Sequence, residues 1–394
     1  MVKKVLLSLF ILLAAHAAKA QILVKGTIKD ILTHEAVGNV TISTQDQQYG
    51  TVSNDEGSFA LSCPASARSI VLNHLSYKPL EIALANLPDD GIYYLEQQQI
   101  ELDEVIILNM PVHKFLEELR ASSIKQFSAP LQLGTYYREF VKNNNSYTKF
   151  ADALIDYNTF RKGKKIDTEL IVKQSRAVRL PGEDEAKYDV VSALDVRKAV
   201  SRDYEFRPLD LLLDGKEYTK YNFLVKSRTE SNGQVLEYIN FEPKAEVQEA
   251  LYTGVIAYEP KSKRILEIDI ALAASHKKYI KEKNFLIIRA TVNDVVYKSS
   301  FKIVGDKYLL SLSVRDISLN LRNKRTINED FKFRSDLIVT NYTADAARFN
   351  KKEKYKERLL YENGNNYTEK FWVGNNAILL NSEEEQIIKS LEDK

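Results

Sequence analysis

The chemistry that side-chain type and spacing allow in this chain rests on Tyr137, Arg138, Glu139, Asp156 and Arg176. Arg138 and Glu139 stand inside the aromatic run Tyr136-Tyr137-Arg138-Glu139-Phe140, whose composition reads as a strand. Charges in such a strand either pair with a neighbouring strand on a solvated face, or form a recognition surface with Tyr137 and with Arg176 arriving from a later strand. Asp152 and Asp156 are four residues apart, hence on one face of a strand. Two carboxylates so placed could serve as the acid and base of a glycosidase; solvated or arginine-paired strand carboxylates are the plainer reading.

Other chemistries lack their residues. A zinc peptidase needs three ligands and a base, whereas His34, His74, His113 and His276 fall one per element and no His-Glu-x-x-His occurs. There is no Gly-x-Ser-x-Gly elbow and no Gly-rich phosphate loop. Cys63 is the only cysteine, so no internal disulfide forms, and it reads as a small core residue at a strand end. Asn54-Asp55-Glu56-Gly57 lacks the twelve-residue calcium pattern and reads as a turn. No catalytic residue, cofactor or metal is expected, and the chain is read as a non-enzyme.

The elements that must position these residues are mostly strands. Short alternating runs at 23–28, 40–42, 51–52, 59–61, 70–72, 92–95 and 105–107 are separated by turn residues, the pattern of a β-sandwich. Gly50 to Leu61 reads as a strand, a polar turn and a returning strand. After Pro111, the spacing of Val112, Phe115, Leu116 and Leu119 predicts an amphipathic helix to about Gln126. Residues 132–160 read as two strands around Asn143-Asn144-Asn145. Strands are expected at 218–226, 235–241, 251–258, 264–272, 285–292, 295–303, 308–321 and 331–341, an antiparallel meander with one buried face. Residues 183–201 and 345–360 read as helices or exposed insertions. Ser382-Glu383-Glu384-Glu385 reads as a capping box ahead of a last short helix.

Met1 to Ala20 has a basic end, an apolar run from Val5 to Ala15 and the small-x-small site Ala18-Lys19-Ala20, as in a cleaved secretory signal. Its removal takes away Lys3, Lys4 and Lys19 and moves the formal charge from +2 to −1. A nearly neutral protein has no global pull towards nucleic acid or an anionic membrane surface. The basic run 351–358 is interrupted by Glu353 and Glu357, which suits i,i+4 pairing.

Several stretches carry a resemblance. Gly26-Thr27-Ile28-Lys29-Asp30, Ala36-Val37-Gly38-Asn39-Val40, Gly50 to Phe59, His74-Leu75-Ser76-Tyr77 and Leu102-Asp103-Glu104-Val105-Ile106 occur in the order of the carboxypeptidase regulatory-like domain. Val37 stands where that family usually has Pro. The resemblance implies a prealbumin-like sandwich without zinc or catalytic residues, at the mature N-terminus of a secreted Bacteroidetes protein. Gly134 to Phe140, Asp152 to Tyr157 and Phe371-Trp372 resemble the region that follows this domain in uncharacterised secreted proteins of that group, with Asp152 in place of the usual Glu.

These readings predict a mainly β chain: a signal peptide at 1–20, a seven-stranded-type prealbumin-like β-sandwich at 21–108, then at 109–394 a helix and a large antiparallel sheet with a few peripheral helices. The expected role is a non-enzymatic, exported binding or scaffolding protein of the bacterial cell envelope, periplasmic or outer-membrane-associated and extracellular, with no transmembrane segment after signal cleavage, whose partner is an envelope protein. The alternative is a periplasmic carrier holding an apolar ligand or lipid on a curved sheet, with a hydrolase using Asp152 and Asp156 behind both.

Overall fold

A computed structural model describes residues 21–74, 76–98, 105–163, 165–179, 194–229, 234–285, 288–323, 328–360 and 369–392. The leader expected at 1–20, residues 102–104, residues 183–193 and the turn expected at 231–233 lie outside the described residues. The chain divides into two compact units, one of residues up to Gln98 together with Thr368–Glu385, the other of Gln99–Tyr367 with the last residues.

Among the described residues of the first unit seven strands form two sheets. β1 (Gln21–Asp30), β4 (Ser58–Pro64) and β7 (Ile92–Leu95) make one, with β1 central; β3 (Gly50–Val52), β2 (Thr41–Thr44), β5 (Ser69–His74) and β6 (Tyr77–Ala83) make the other in that order. β1 runs antiparallel to β4 and parallel to β7. Val24, Ile28, Phe59 and Leu61 of one sheet and Ile42, Ile70 and Leu72 of the other fill the core, as alternation along strands requires. Cys63 is buried among them.

The turn after β3 is a crossover rather than a hairpin, because β3 and β4 belong to different sheets. The Ser53 hydroxyl holds this corner, donating to Val37 O and accepting from Val40 N at 3.0 Å each. Asn54 Oδ1 then accepts from Glu56 N at 3.0 Å and Ser58 N at 2.9 Å, and Gly57 supplies φ +76°. β6 escaped the sequence reading because Pro79 lies within it; its place at a sheet edge is where proline is tolerated.

The C-terminal part of this unit carries a short helix, Glu369–Gly374, against β4. Just beyond it, Asn376 Nδ2 donates to Ser62 O at 3.0 Å while Ser62 N donates to Asn376 Oδ1 at 2.5 Å. The helix Ser382–Glu392 that follows is capped one residue earlier than expected: Glu384 N donates to Asn381 Oδ1 at 2.8 Å, and Asn381 N to Glu384 Oε2 at 3.0 Å.

In the second unit, α1 (Val112–Gln126) buries Phe115, Leu116 and Leu119. An eleven-stranded antiparallel sheet follows, ordered β10-β9-β8-β18-β17-β16-β14-β13-β12-β11, with β15 (Lys283–Phe285) beside β16. The strands are β8 (Leu131–Asn143), β9 (Ser146–Lys162), β10 (Lys165–Arg179), β11 (Tyr221–Thr229), β12 (Val235–Pro243), β13 (Tyr252–Glu259), β14 (Arg264–Leu272), β16 (Ile288–Val304), β17 (Lys307–Arg322) and β18 (Asn328–Thr343). Asn144 and Asn145, at φ +48° and +67°, make the tight turn between β8 and β9. The meander returns when β18 pairs with β8. β16 is one strand through the expected break, with a bulge that absorbs Asn293.

α1, α2 (Ala199–Tyr204) and α3 (Asp210–Leu213) lie over one face of this sheet, where Phe127 stacks on Tyr308 at 4.4 Å and Phe115 meets Tyr258 edge-on at 5.4 Å. Both sheet edges have backbone partners. Tyr355 N donates to Leu170 O of β10, and Ile106 N to Val225 O of β11, each at 3.0 Å. The stretch 345–360 therefore runs as irregular chain along β10 rather than as a helix.

Candidate functional site

Strand register aligns one residue from each of ten strands into a row: Arg176, Asp152, Arg138, Asp336, Val314, Lys298, Asp269, Val255, Asn240 and Leu224. Paired residues share a face, so the whole row lies on the face turned away from α1, α2 and α3.

The first four members are sealed and mutually neutralising. Arg176 grips Asp152 with the Nε/Nη2 edge of its guanidinium, Nε to Oδ1 at 3.0 Å and Nη2 to Oδ2 at 2.6 Å, and Tyr136 OH donates to the same carboxylate at 3.0 Å. Arg138 Nε donates to Asp336 Oδ2 at 2.6 Å, and Arg334, two residues along on the same face, donates to Oδ1 at 3.0 Å. Burial raises the Asp152 pKa against the pull of Arg176. Burial also acts on Asp336, but Arg334 and Arg138 outweigh it and hold that carboxyl below its usual range. Further along, the row opens: Lys298 holds Asp269 at 2.9 Å with both side chains near 30 % exposed, and Leu224 is 42 % exposed.

The pleat separates the residues expected to act together. Arg138, Arg176 and Asp156 lie on the row's face, whereas Tyr137 and Glu139 point to the opposite one, under the helices. Asp156 sits about 13 Å along β9 from Asp152, at ~3.3 Å per residue, and faces Lys173 Nζ at 3.6 Å. Asp152 is 0 % exposed and committed to Arg176 and Tyr136, so the geometry gives it no route to a substrate.

On the helix-covered face Glu139 accepts from Tyr137 OH and from Leu360 N, each at 2.9 Å. Burial lifts its pKa to about 7 in spite of these two donors. Asp336 and Arg334 were missed by sequence reasoning, although Arg334-Ser335-Asp336 carries alternate charges inside an apolar strand, the same signal that singled out Arg138. Among the described residues no group of three or more His, Cys, Asp or Glu is placed to hold a metal ion. No helix of the described residues is long and apolar enough to cross a membrane.

Residues 24–107 match the CarboxypepD_reg-like domain, so the chain carries that domain; the match covers the sandwich of the first unit and runs on into the second, where residues 105–107, expected as a last sandwich strand, lie beside β11 instead. A comparison with curated proteins finds no match. Among solved structures, the chain is similar to a DUF1329 family protein from Desulfovibrio piger, with 12% identity over 61% of this chain and 96% of that one at a TM-score of 0.26. Lipovitellin, from a study of its lipid–protein interactions, shares 10% identity over 57% of this chain and 26% of its own, at 0.23. MucB, solved in complex with MucA(peri), shares 8% over 60% of this chain and 99% of its own, at 0.22. At such scores none of these likenesses assigns a fold or a ligand to this chain.

Proposed function

We propose that this chain is a non-catalytic, exported binding or scaffolding protein of the bacterial cell envelope. It holds a protein partner on the sheet face turned away from α1, α2 and α3, and the regulatory-like sandwich supplies further protein contacts. One observation carries this reading: the ten-strand row passes from buried, self-neutralised charges at Arg176–Asp336 to an accessible mixture at Lys298, Asp269, Val255, Asn240 and Leu224. The closed end fixes the sheet. The open end presents apolar, amide and charged groups side by side, the mixture from which protein interfaces are made. The leader at 1–20 supports export.

The carrier reading is the less favoured because the apolar face is occupied by the protein's own rings. Phe127 stacks on Phe206 and Tyr308, and Phe301 packs tilted against Phe127 and Phe206.

A photocrosslinking residue at Asn240 or Leu224, with Glu117 on α1 as control, tests the surface in the native envelope. Adducts with one defined protein from Asn240 and Leu224, but not from Glu117, are expected. Equal or no adducts from the three positions refute it. A stoichiometric lipid in native mass spectra of the purified protein would put the carrier reading first.

A further inference from the structure

Beneath α2 lies a second polar cluster whose charges do not balance. Asp203, on α2, is 1 % exposed. Its Oδ1 accepts the Ser299 hydroxyl at 2.7 Å, and Ser313 also hydrogen-bonds to the carboxylate. Arg315 Nη2 is 3.5 Å from Oδ1 without hydrogen-bond alignment. Asp203 Oδ2, Arg315 Nε and Arg315 Nη2 are all buried and have no hydrogen-bond partner among the described residues. A buried polar group left without a partner is costly, so the arrangement calls for one.

The unused edge of Arg315 is the edge that holds a carboxylate elsewhere in this protein, for Arg176 grips Asp152 with its Nε and Nη2. A second guanidinium, that of Arg202, lies close enough for burial and the Arg315 charge to lower its pKa. Among the described residues Arg202 has no hydrogen bond or salt bridge. The nearby Asp195 is already held by Arg197 through Nε at 2.9 Å and Nη2 at 3.0 Å. Two guanidinium groups thus lie near one carboxylate. Arg202 and Tyr297 are half-buried and mark the outer end, while Asp203 closes the inner one.

We propose that Arg315, Arg202 and Asp203 form a binding site for a small oxyanion that carries an adjacent hydrogen-bond donor, such as a hydroxycarboxylate, an amino acid or hydrogen phosphate. The oxyanion lies on the Nε/Nη2 fork of Arg315, Arg202 supplies the second positive charge, and the ligand's donor satisfies Asp203 Oδ2. This site is independent of the partner surface on the other face.

Calorimetric titration and thermal unfolding of the full chain with glycolate, glycine, hydrogen phosphate and acetate test it. At least one of the first three gives saturable binding and a raised Tm, while acetate, which lacks the donor, binds about tenfold or more weakly, the loss of ~1.4 kcal/mol. Arg315→Lys, which keeps the charge but not the fork, and Arg202→Gln, at the half-exposed end, each lose binding, with their ligand-free Tm as the folding control. Asp203→Asn, whose amide can itself donate, loses the preference over acetate. Saturable binding unchanged in both arginine variants overturns the proposal. So does the absence of binding by all four probes, or a crystal structure in which ordered waters bridge Arg315 and Asp203 and glycolate does not displace them.

Discussion

Asn376 makes a two-bond contact between the C-terminal segment of the first unit and Ser62 of its sandwich, and removing its side chain should loosen that segment, which Asn54 and Glu56 also hold through Leu380 O and Ser382. The carboxamide presents a donor and an acceptor to the backbone of Ser62, which is 4 % exposed. Asn376→Ala leaves that N–H and C=O unpaired at ~1–3 kcal/mol each, or about 2–6 kcal/mol together. Asn376 also sits at φ +61°, where Ala adds ~1–2 kcal/mol of left-handed strain. Asn376→Gly removes the strain but not the unpaired groups, so it should fall between wild type and Ala. Asn376→Asp keeps the acceptor for Ser62 N–H but turns an oxygen towards Ser62 O. The assay is built in, since Trp372 is the only tryptophan and is 3 % exposed on the adjoining helix. Urea unfolding followed by its fluorescence should show an earlier transition in the order Ala, Gly, wild type. A Trp372 midpoint equal to wild type in both variants would refute the role given to this contact.

Two further outcomes follow from the buried charges. The Glu139 pKa is lifted by burial from 4.5 to about 7, so folding favours its protonated form. Its contribution is full below pH 4.5 and is lost as pH rises through about 7, on the order of 3 kcal/mol at ~1.4 kcal/mol per unit. Glu139→Gln should flatten stability between those two values, and an unchanged slope in urea titrations at stepped pH would show that Glu139 is not the group responsible. Asp336→Asn strips the carboxylate from two buried guanidinium groups, Arg138 and Arg334, and should cost ~3–5 kcal/mol. Arg138→Met leaves Asp336 with Arg334 and should cost less; the reverse order in thermal unfolding would contradict the shared-carboxylate geometry.

What could be read from the sequence follows how local each cause is. The β-rich class, the helix that buries Phe115, Leu116 and Leu119, and the Asn144-Asn145 turn depend on residues within a few positions of one another, and the structure has them. The corner after β3 was legible as a turn but not as a change of sheet. What sets it is the Ser53 hydroxyl bridging Val37 and Val40, up to sixteen residues away. The helix cap was misplaced by one residue because Asn381-Ser382 offers two adjacent capping side chains, and Ser382 Oγ instead donates to Glu56 at 3.1 Å.

The candidate site shows the same limit more sharply. Alternation assigns Arg138 and Glu139 to opposite faces, which is a local fact, but it cannot name the strand that lies beside β8. Asp336 is 198 residues from Arg138, and they meet only because the meander returns β18 to β8. Once that neighbour is fixed, the rest is forced. Arg138 then stands between Asp152 and Asp336, each carboxylate has an arginine, and the accessible end of the row is displaced to β11–β16. The same return brings Glu139, Ser335, Arg315 and Tyr297 into one row under α2. One strand pairing therefore decides the charges that lock this end of the sheet.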